Sequence, residues 1–328
     1  MTPDFRIIAG GEDVSATFRD RLMGLTVTDE DGGKADRIEI EVDDREGRVA
    51  FPDMDTLLDV SLGFRRPFGG SDLSYMGRYA VDGVAGAGPA QRMRITATAA
   101  DMKGDIRAPK TRAWEAVTLK DIVAKIAAEA KLKPVVGESV AGAHWPYIAQ
   151  TAESDLHFLT RIAATLDATA KPAGGSLVVQ RRGEGKTAAG DAISAVAIDA
   201  GRIASWTWKV DGRAEYRQVE AGWSDTTSGQ RRKITRGSGK PVQRLRHLYA
   251  SAEEATRACE GELSRAGRAP LSISVDLAGF EPALFAGGTA TLSGLRDELN
   301  GEWHVARVSH ELGGSGLTTK FDGKRARS

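Results

Sequence analysis

Apolar and polar positions alternate with a period of two along the first hundred residues. In DRIEIEVDD (36–44), Ile38, Ile40 and Val42 share one face, and Glu39, Glu41 and Asp43 share the other. QRMRITATAAD (91–101) sets Met93, Ile95, Ala97 and Ala99 against Arg92, Arg94, Thr96 and Thr98. A strand of this kind has one packed face and one wet face, as in antiparallel sheets and small barrels. LLDVSLGF (57–64) and SYMGRYAVDGVAG (74–86) are predicted strands on either side of the turn-rich RRPFGG.

From about Ala108 the period lengthens. In EAVTLKDIVAKIAAEAKLKP, Leu119, Ile122, Val123, Ile126 and Ala130 form one stripe, with Thr118 as N-cap, Asp121 at the third helical position and Pro134 as the stop. QTAESDLHFLTRIAATLDATAKPAGGSLVVQ (150–180) predicts a second helix. Thr151 is its expected cap, Glu153 and Asp155 bring negative charge to its first turn, and Leu156, Leu159, Ile162, Ala163 and Leu166 form its apolar face. AKPAGG is read as its end and SLVVQ as a short strand. RGEGKTAAGD (182–191) reads as a surface loop or linker.

Strands return at RIASWTWKV (202–210), EYRQVEAGW (215–223) and VQRLRHLYA (242–250). SAEEATRACEGELSRAG (251–267) is an amphipathic helix with Ser251 as N-cap, Glu253 and Glu254 in its first turn and Gly267 near its end. LSISVDL (271–277), GTATLSG (288–294), GEWHVARVSHEL (301–312) and LTTKF (317–321) are strands again.

GRYAVDGV (77–84) and GEWHVARV (301–308) echo each other. Each has a Gly, an aromatic two positions later, a Val four later and another Val seven later. Each follows a shorter strand ending near Gly (VSLG, ATLSG) and precedes a Thr-bearing strand ending near Asp. Strand patterns also recur by chance. Taken as a duplication, the echo gives two β-barrel-like domains around an α/β insert, an α+β, β-rich fold with boundaries at 1–107, 108–182 and 183–328. A chain of 328 residues has room for two or three domains.

Lys plus Arg and Asp plus Glu both total 45, so the net charge is zero, which speaks against a dedicated nucleic-acid binder. Gly at 38 residues with only 6% aromatics suits many short strands and turns. MTPDFRIIAGGEDV lacks a basic region followed by an apolar run, so no signal peptide is expected. No stretch approaches the ~18 apolar residues needed to cross a bilayer.

The search for chemistry gives no catalytic, cofactor-binding or metal residues. Cys259 lies in a helical pattern and reads as a small buried residue. Of His144, His157, His247, His304 and His310, only His304 and His310 are spaced to share a face, and no Cys, Asp or Glu completes a metal set. His157 falls on the polar side of its helix. Glu39, Glu41, Asp43 and Asp44 read as a solvated strand face. GGSDLSYMG holds no G-x-S-x-G elbow, and AGAGPA (85–90) reads as a glycine turn with no helix after it to make a phosphate cradle. QRRKITRG (230–237) reads as an exposed loop or partner contact.

I-x-Q-T-x-E-S-D-L-x-F-L-x-R-I-A, from Ile148 to Ala163, and K-P-A-G-G-S-L-V-V at 171–179 resemble the late-control gene D family. Its members are baseplate hubs of contractile-tailed phages and tailocins, akin to the hub portion of type VI secretion spike proteins. The helix TLKDIVAKIAAEAKLKP and the terminal GEWHVARVSHEL fit the same family. The resemblance spans about residues 5–322 and is weaker in 183–245.

The resemblance implies a structural protein without cofactor. It would form a homotrimeric ring whose six barrel-like modules join a hexameric tail tube to a trimeric spike, beside other baseplate components. DNA would meet it only in transit through the channel. It implies a place in the tail baseplate of a virion or tailocin, after assembly in the host cytoplasm. The competing classes are a tail-associated cell-wall hydrolase, for which no spare segment of domain size is seen, and a DNA-binding regulator.

Overall fold

The computed structural model describes residues 2–31, 36–89, 91–100, 105–173, 175–181, 195–210, 216–225, 228–268 and 271–325. The expected linker at 182–191 lies outside them. The fold is α+β and β-rich.

The N-terminal part comprises β1 (Thr2–Ala9), β2 (Glu12–Asp13), α1 (Ser15–Arg19), β3 (Leu22–Glu30), β4 (Arg37–Asp43), β5 (Leu57–Arg65), β6 (Ser71–Ala87) and β7 (Arg92–Ala99). The alternation is realised as expected. Ile38, Ile40 and Val42 are buried with Leu25 and Val27 of β3, Val60 and Leu62 of β5, and Met93 and Ile95 of β7 in one apolar core. Each fully buried large aliphatic side chain stabilises by roughly 1.5–3 kcal/mol. AGAGPA is not simply a turn, because Ala85, Gly86 and Ala87 continue β6 and pair with β7.

The segment expected to be an insert follows: β8 (Pro109–Thr118), α2 (Leu119–Glu129), β9 (Lys133–Val136), α3 (Glu138–Ala141), β10 (His144–Ser154), α4 (Asp155–Thr165), β11 (Ala168–Ala173) and β12 (Ser176–Arg181). Thr118 caps α2 in a reciprocal capping box with Asp121. The helix ends before Pro134: Lys131 adopts φ 57°, and Pro134 already lies in β9. The expected faces of α2 and α4 meet in one core with Trp114, Trp145 and Phe158.

Thr151 does not cap α4. Thr151 and Ala152 form an irregularity in β10, with Ala152 at φ 47°, and Ser154 is the cap, its hydroxyl accepting the His157 amide at 3.2 Å. Glu153 therefore stays in the strand. AKPAGG also differs from expectation, since Ala168–Ala173 is a strand paired antiparallel with β12.

The last part holds β13 (Val196–Asp199), β14 (Ile203–Val210), β15 (Gln218–Asp225), β16 (Gln230–Gly237), β17 (Val242–Tyr249), α5 (Ala252–Arg268), β18 (Leu271–Leu277), β19 (Thr289–Ser293), β20 (Gly301–Gly313) and β21 (Gly316–Arg325). QRRKITRG is a strand, not a loop: β16 pairs with β15 along its length. Its cations meet carboxylates, Arg232 with Asp225 at 2.9 Å and Lys233 with Glu220 at 3.0 Å. β15, β16 and β17 form a separate sheet closed by α5 over Val219, Ala221, Tyr249, Ala255, Ala258 and Cys259. As expected, Ser251 caps α5 by accepting the Glu254 amide at 3.1 Å.

β1 to β7 and β13, β14 and β18 to β21 belong to one 13-stranded sheet among the described residues. Its path runs β14-β18-β21-β20-β3-β4-β7-β6-β5-β1-β2, with β19 on β20 and β13 on β19. The two ends of the chain are thus hydrogen-bonded to each other through β3 and β20, Leu25 facing Leu312 and Val27 facing His310. A second core, under the C-terminal strands, gathers Ile273, Val275, Trp303, Val305, Val308 and Phe321.

The sequence echo corresponds to an echo in hydrogen bonding. β5-β6-β7 and β19-β20-β21 are both antiparallel meanders. Their long middle strands break register at matching places, between Val81 and Gly83 and between Val305 and Arg307. An extra residue at such a bulge reverses the faces of everything beyond it. His304 and His310 consequently do not share a face: His304 bonds Asp31, and His310 turns into the protein beneath Phe280.

Candidate assembly interface

The isolated histidines stay isolated. His144, His157 and His247 are exposed, and no group of three or more His, Cys, Asp or Glu is placed to hold a metal among the described residues. Cys259 is buried, and burial pushes its thiol pKa up, away from the reactive thiolate. The strand carboxylates serve structure. Arg94 reaches Glu39 at 3.1 Å and Glu41 at 2.7 Å, and Asp44 accepts the Arg48 and Val49 amides.

Two charge networks position the insert. Within it, Asp155 is 1% exposed and receives Lys110 at 2.6 Å, Arg112 and the Gln150 amide at 2.8 Å, with Glu129 bridging the same two cations. Its role exceeds the expected effect on the helix dipole: it ties β8, β10 and α4 together. Glu153 pairs with Arg161.

The second network joins insert to sheet. Lys171 on β11 bonds Asp29 at the end of β3, and lies 2.7 Å from Asp36. Thr169 donates to Asp31, which also meets His304 at 2.7 Å. Burial first, then the charge of Asp29, pushes Asp36 up to about 7. Burial works to lower Lys171, but the charges of Asp29 and Asp36 outweigh it and hold the ammonium above its usual value. Of these groups only His304 was singled out in the sequence, and as a metal candidate; its partner and the others were not legible, because the contacts join residues more than a hundred positions apart.

α5 holds its own sheet to the insert. Arg265 donates to the Ala164 carbonyl and Arg257 to the His144 carbonyl, both at 2.7 Å. Gly261 comes so near α4 that a Cβ there would sit 2.7 Å from the Thr165 carbonyl oxygen.

The outer surface carries large apolar side chains at a few places. β14 exposes Trp206, Trp208 and Val210, with the Arg296 guanidinium 5.5 Å from the Trp208 ring centre. Phe51 and Met54 project beside β6, and Phe68 stands fully exposed at the tip of the β5–β6 hairpin. Exposed apolar groups gathered on strand edges mark surfaces for protein contact. SWTWKV was legible as a strand, but nothing in its alternation shows which face is left uncovered.

The match to known proteins agrees with a chain built for contact. Residues 81–316 match the family model of the phage tail baseplate hub (GPD). The chain belongs to the phage tail baseplate hub family. A relative described as a probable baseplate hub protein of Escherichia phage P2 is 27% identical over 98% of this chain and 93% of its own length. The fold is shared with the 43 kDa tail protein of prophage MuSo2 from Shewanella oneidensis, at a TM-score of 0.70, 14% identity and 98% coverage of both chains. The E. coli c3393 protein, a component of the type VI secretion system with structural similarity to phage T4 tail proteins gp27 and gp5, aligns at a TM-score of 0.54. That alignment has 12% identity over 94% of this chain and 74% of the other. The hub chain is a structural component of a phage tail baseplate. No helix among the described residues is long and apolar enough to cross a membrane.

Proposed function

We propose that this hub chain forms a homotrimeric ring that couples a sixfold tail tube to a threefold spike. In this reading the strands of 1–107 and 183–328 supply two barrel-like units per chain, and 108–182 is the insert that fixes their relation. Three chains then offer six similar modules to the tube while keeping threefold symmetry for the spike. The observation that carries the reading is the internal repetition, with matching strand order and matching register breaks in the β5–β7 and β19–β21 meanders. The baseplate-hub match and the likeness to a secretion-system component support the same partners.

The role is mechanical, without turnover or cofactor, and the two charge networks act as rigid joints rather than as acid–base machinery. Light scattering of the purified chain, alone and with tube and spike proteins, tests the ring. A mass of three chains is expected, and a single chain under all these conditions overturns the reading. Cleared zones on a peptidoglycan zymogram would overturn the mechanical role.

A further inference from the structure

The two repeats differ at one edge, which is covered in the first and bare in the second. β3 corresponds to β14. Each lies beside the strand (β4, β18) that pairs with the last strand of its meander, and each breaks register at the same place, Leu22/Gly24 and Ile203/Ser205. Leu25 pairs with Ile40 as Trp206 pairs with Val275, and Val27 with Ile38 as Trp208 with Ile273. Leu25 thus matches Trp206, Val27 matches Trp208, and two residues on Asp29 matches Val210.

The outer side of β3 receives the second half of β20, and Leu25 and Val27 are buried there. β14 ends the strand order among the described residues, and Trp206, Trp208 and Val210 are 45%, 46% and 39% exposed. These side chains share the face of Val275, Ile273 and Leu271, so the C-terminal core runs out to an uncovered rim.

β20 corresponds in turn to β6. Past Val81 the outer side of β6 has no strand neighbour among the described residues, since its pairing with β5 stops at Ala80 and the loop before β5 bonds only Val81. Beside this open half lies a groove of about 510 Å³ lined by Phe51, Pro52, Met54 and Val84. Phe51 is 77% exposed.

We propose that β14 of one copy adds antiparallel to the second half of β6 of the next copy, repeating between chains the contact that β3 and β20 make within one. The number of copies rests on the ring reading, while the pairing rests on the repeat. The internal register carries over. Val308 opposite Asp29, His310 opposite Val27 and Leu312 opposite Leu25 become Val84 opposite Val210, Gly86 opposite Trp208 and, one residue past the end of β6, Gly88 opposite Trp206.

The side chains fit this register. Inside the chain, His310 and Leu312 stand opposite Val27 and Leu25. Between chains, two glycines stand opposite two indoles, which need the space. Neither glycine is demanded by the chain's own packing: a Cβ at Gly86 would meet only the Arg92 carbonyl at 3.5 Å, one at Gly88 nothing within 4 Å, and neither has positive φ. Glycine weakens a strand unless something approaches it closely, and an incoming tryptophan is such a neighbour. A contact between different faces of identical chains closes into a ring when its rotation permits.

The test is a cross-link. With Cys259 replaced by Ala, the full chain carrying Thr207→Cys and Ala87→Cys is oxidised with and without tube and spike proteins. A covalent ladder ending at a closed trimer is expected, and mixing the two single variants gives dimers only. In parallel, Trp208→Lys and Gly86→Trp are expected to weaken association about tenfold or more, the size of a lost interface anchor. Trp208→Lys should disturb unfolding of the separated chain far less than it disturbs association, since the residue is already half exposed and gives up mainly its contact with Arg296. A ring that forms without the 207–87 link, or a link closed within one chain, overturns this contact and leaves the ring reading standing. A chain that never associates overturns both.

Discussion

His310 shows how one residue's meaning depends on a bulge. The register break before Arg307 turns it inward, where it bonds the Thr319 hydroxyl at 2.9 Å. Burial, only partly offset by Asp29, pushes its pKa down from 6.5 to about 4. The unfolded chain takes up a proton near 6.5 that the folded chain refuses until about 4. The stability from neutral His310 is therefore complete above about pH 6.5 and is lost as pH falls toward 4. His310→Leu removes this dependence. The variant's deficit against the parent, measured by urea unfolding, is expected to shrink by up to about 3 kcal/mol between pH 7 and pH 4. Asp155 carries a similar lesson. Its place in the first turn of α4 was legible, but its burial among Lys110, Arg112 and Gln150 was not, because those partners come from other strands.

At the scale of elements, the amphipathic helices were the most readable parts. Period and cap agree in α2 and α5, where Thr118 and Ser251 each accept an amide three residues on. β16 was missed because Ile234 alone marks its inner face and the rest of its surface is charged or polar. α5 then packs against the insert through Gly261. Gly261→Leu is expected to push the helix off the Thr165 carbonyl at a cost of about 1–3 kcal/mol, the usual range for overpacking. Cys259, two residues away in the same helix and buried, reports the change: its labelling by a thiol reagent should accelerate in the variant and stay slow in the parent. An unchanged labelling rate would mean that α5 absorbs the side chain without moving.

Across the whole molecule, the insert is joined to the sheet through Lys171 and two carboxylates. Lys171→Ala is expected to destabilise by about 3 kcal/mol, because it leaves Asp29 and Asp36 facing each other with no cation between them. The deficit should grow as pH rises past about 7, because Asp36 of the parent ionises there beside the ammonium while the variant, lacking that cation, must hold the proton or bear the repulsion, and thermal melts at pH 6 and pH 8 check this. Local pattern alone determined the strands of β4, β5 and β7, the helices α2 and α5, and the internal echo, since period and capping act between residues a few positions apart. Tertiary structure decided the rest. Register breaks chose which face each half of β6 and β20 presents, the β3–β20 pairing made one sheet of the two ends, and strand order left Trp206 and Trp208 at a rim instead of in a core. Those outcomes depend on which distant strand supplies the next row of hydrogen bonds, and alternation within a strand is the same whichever neighbour it finds.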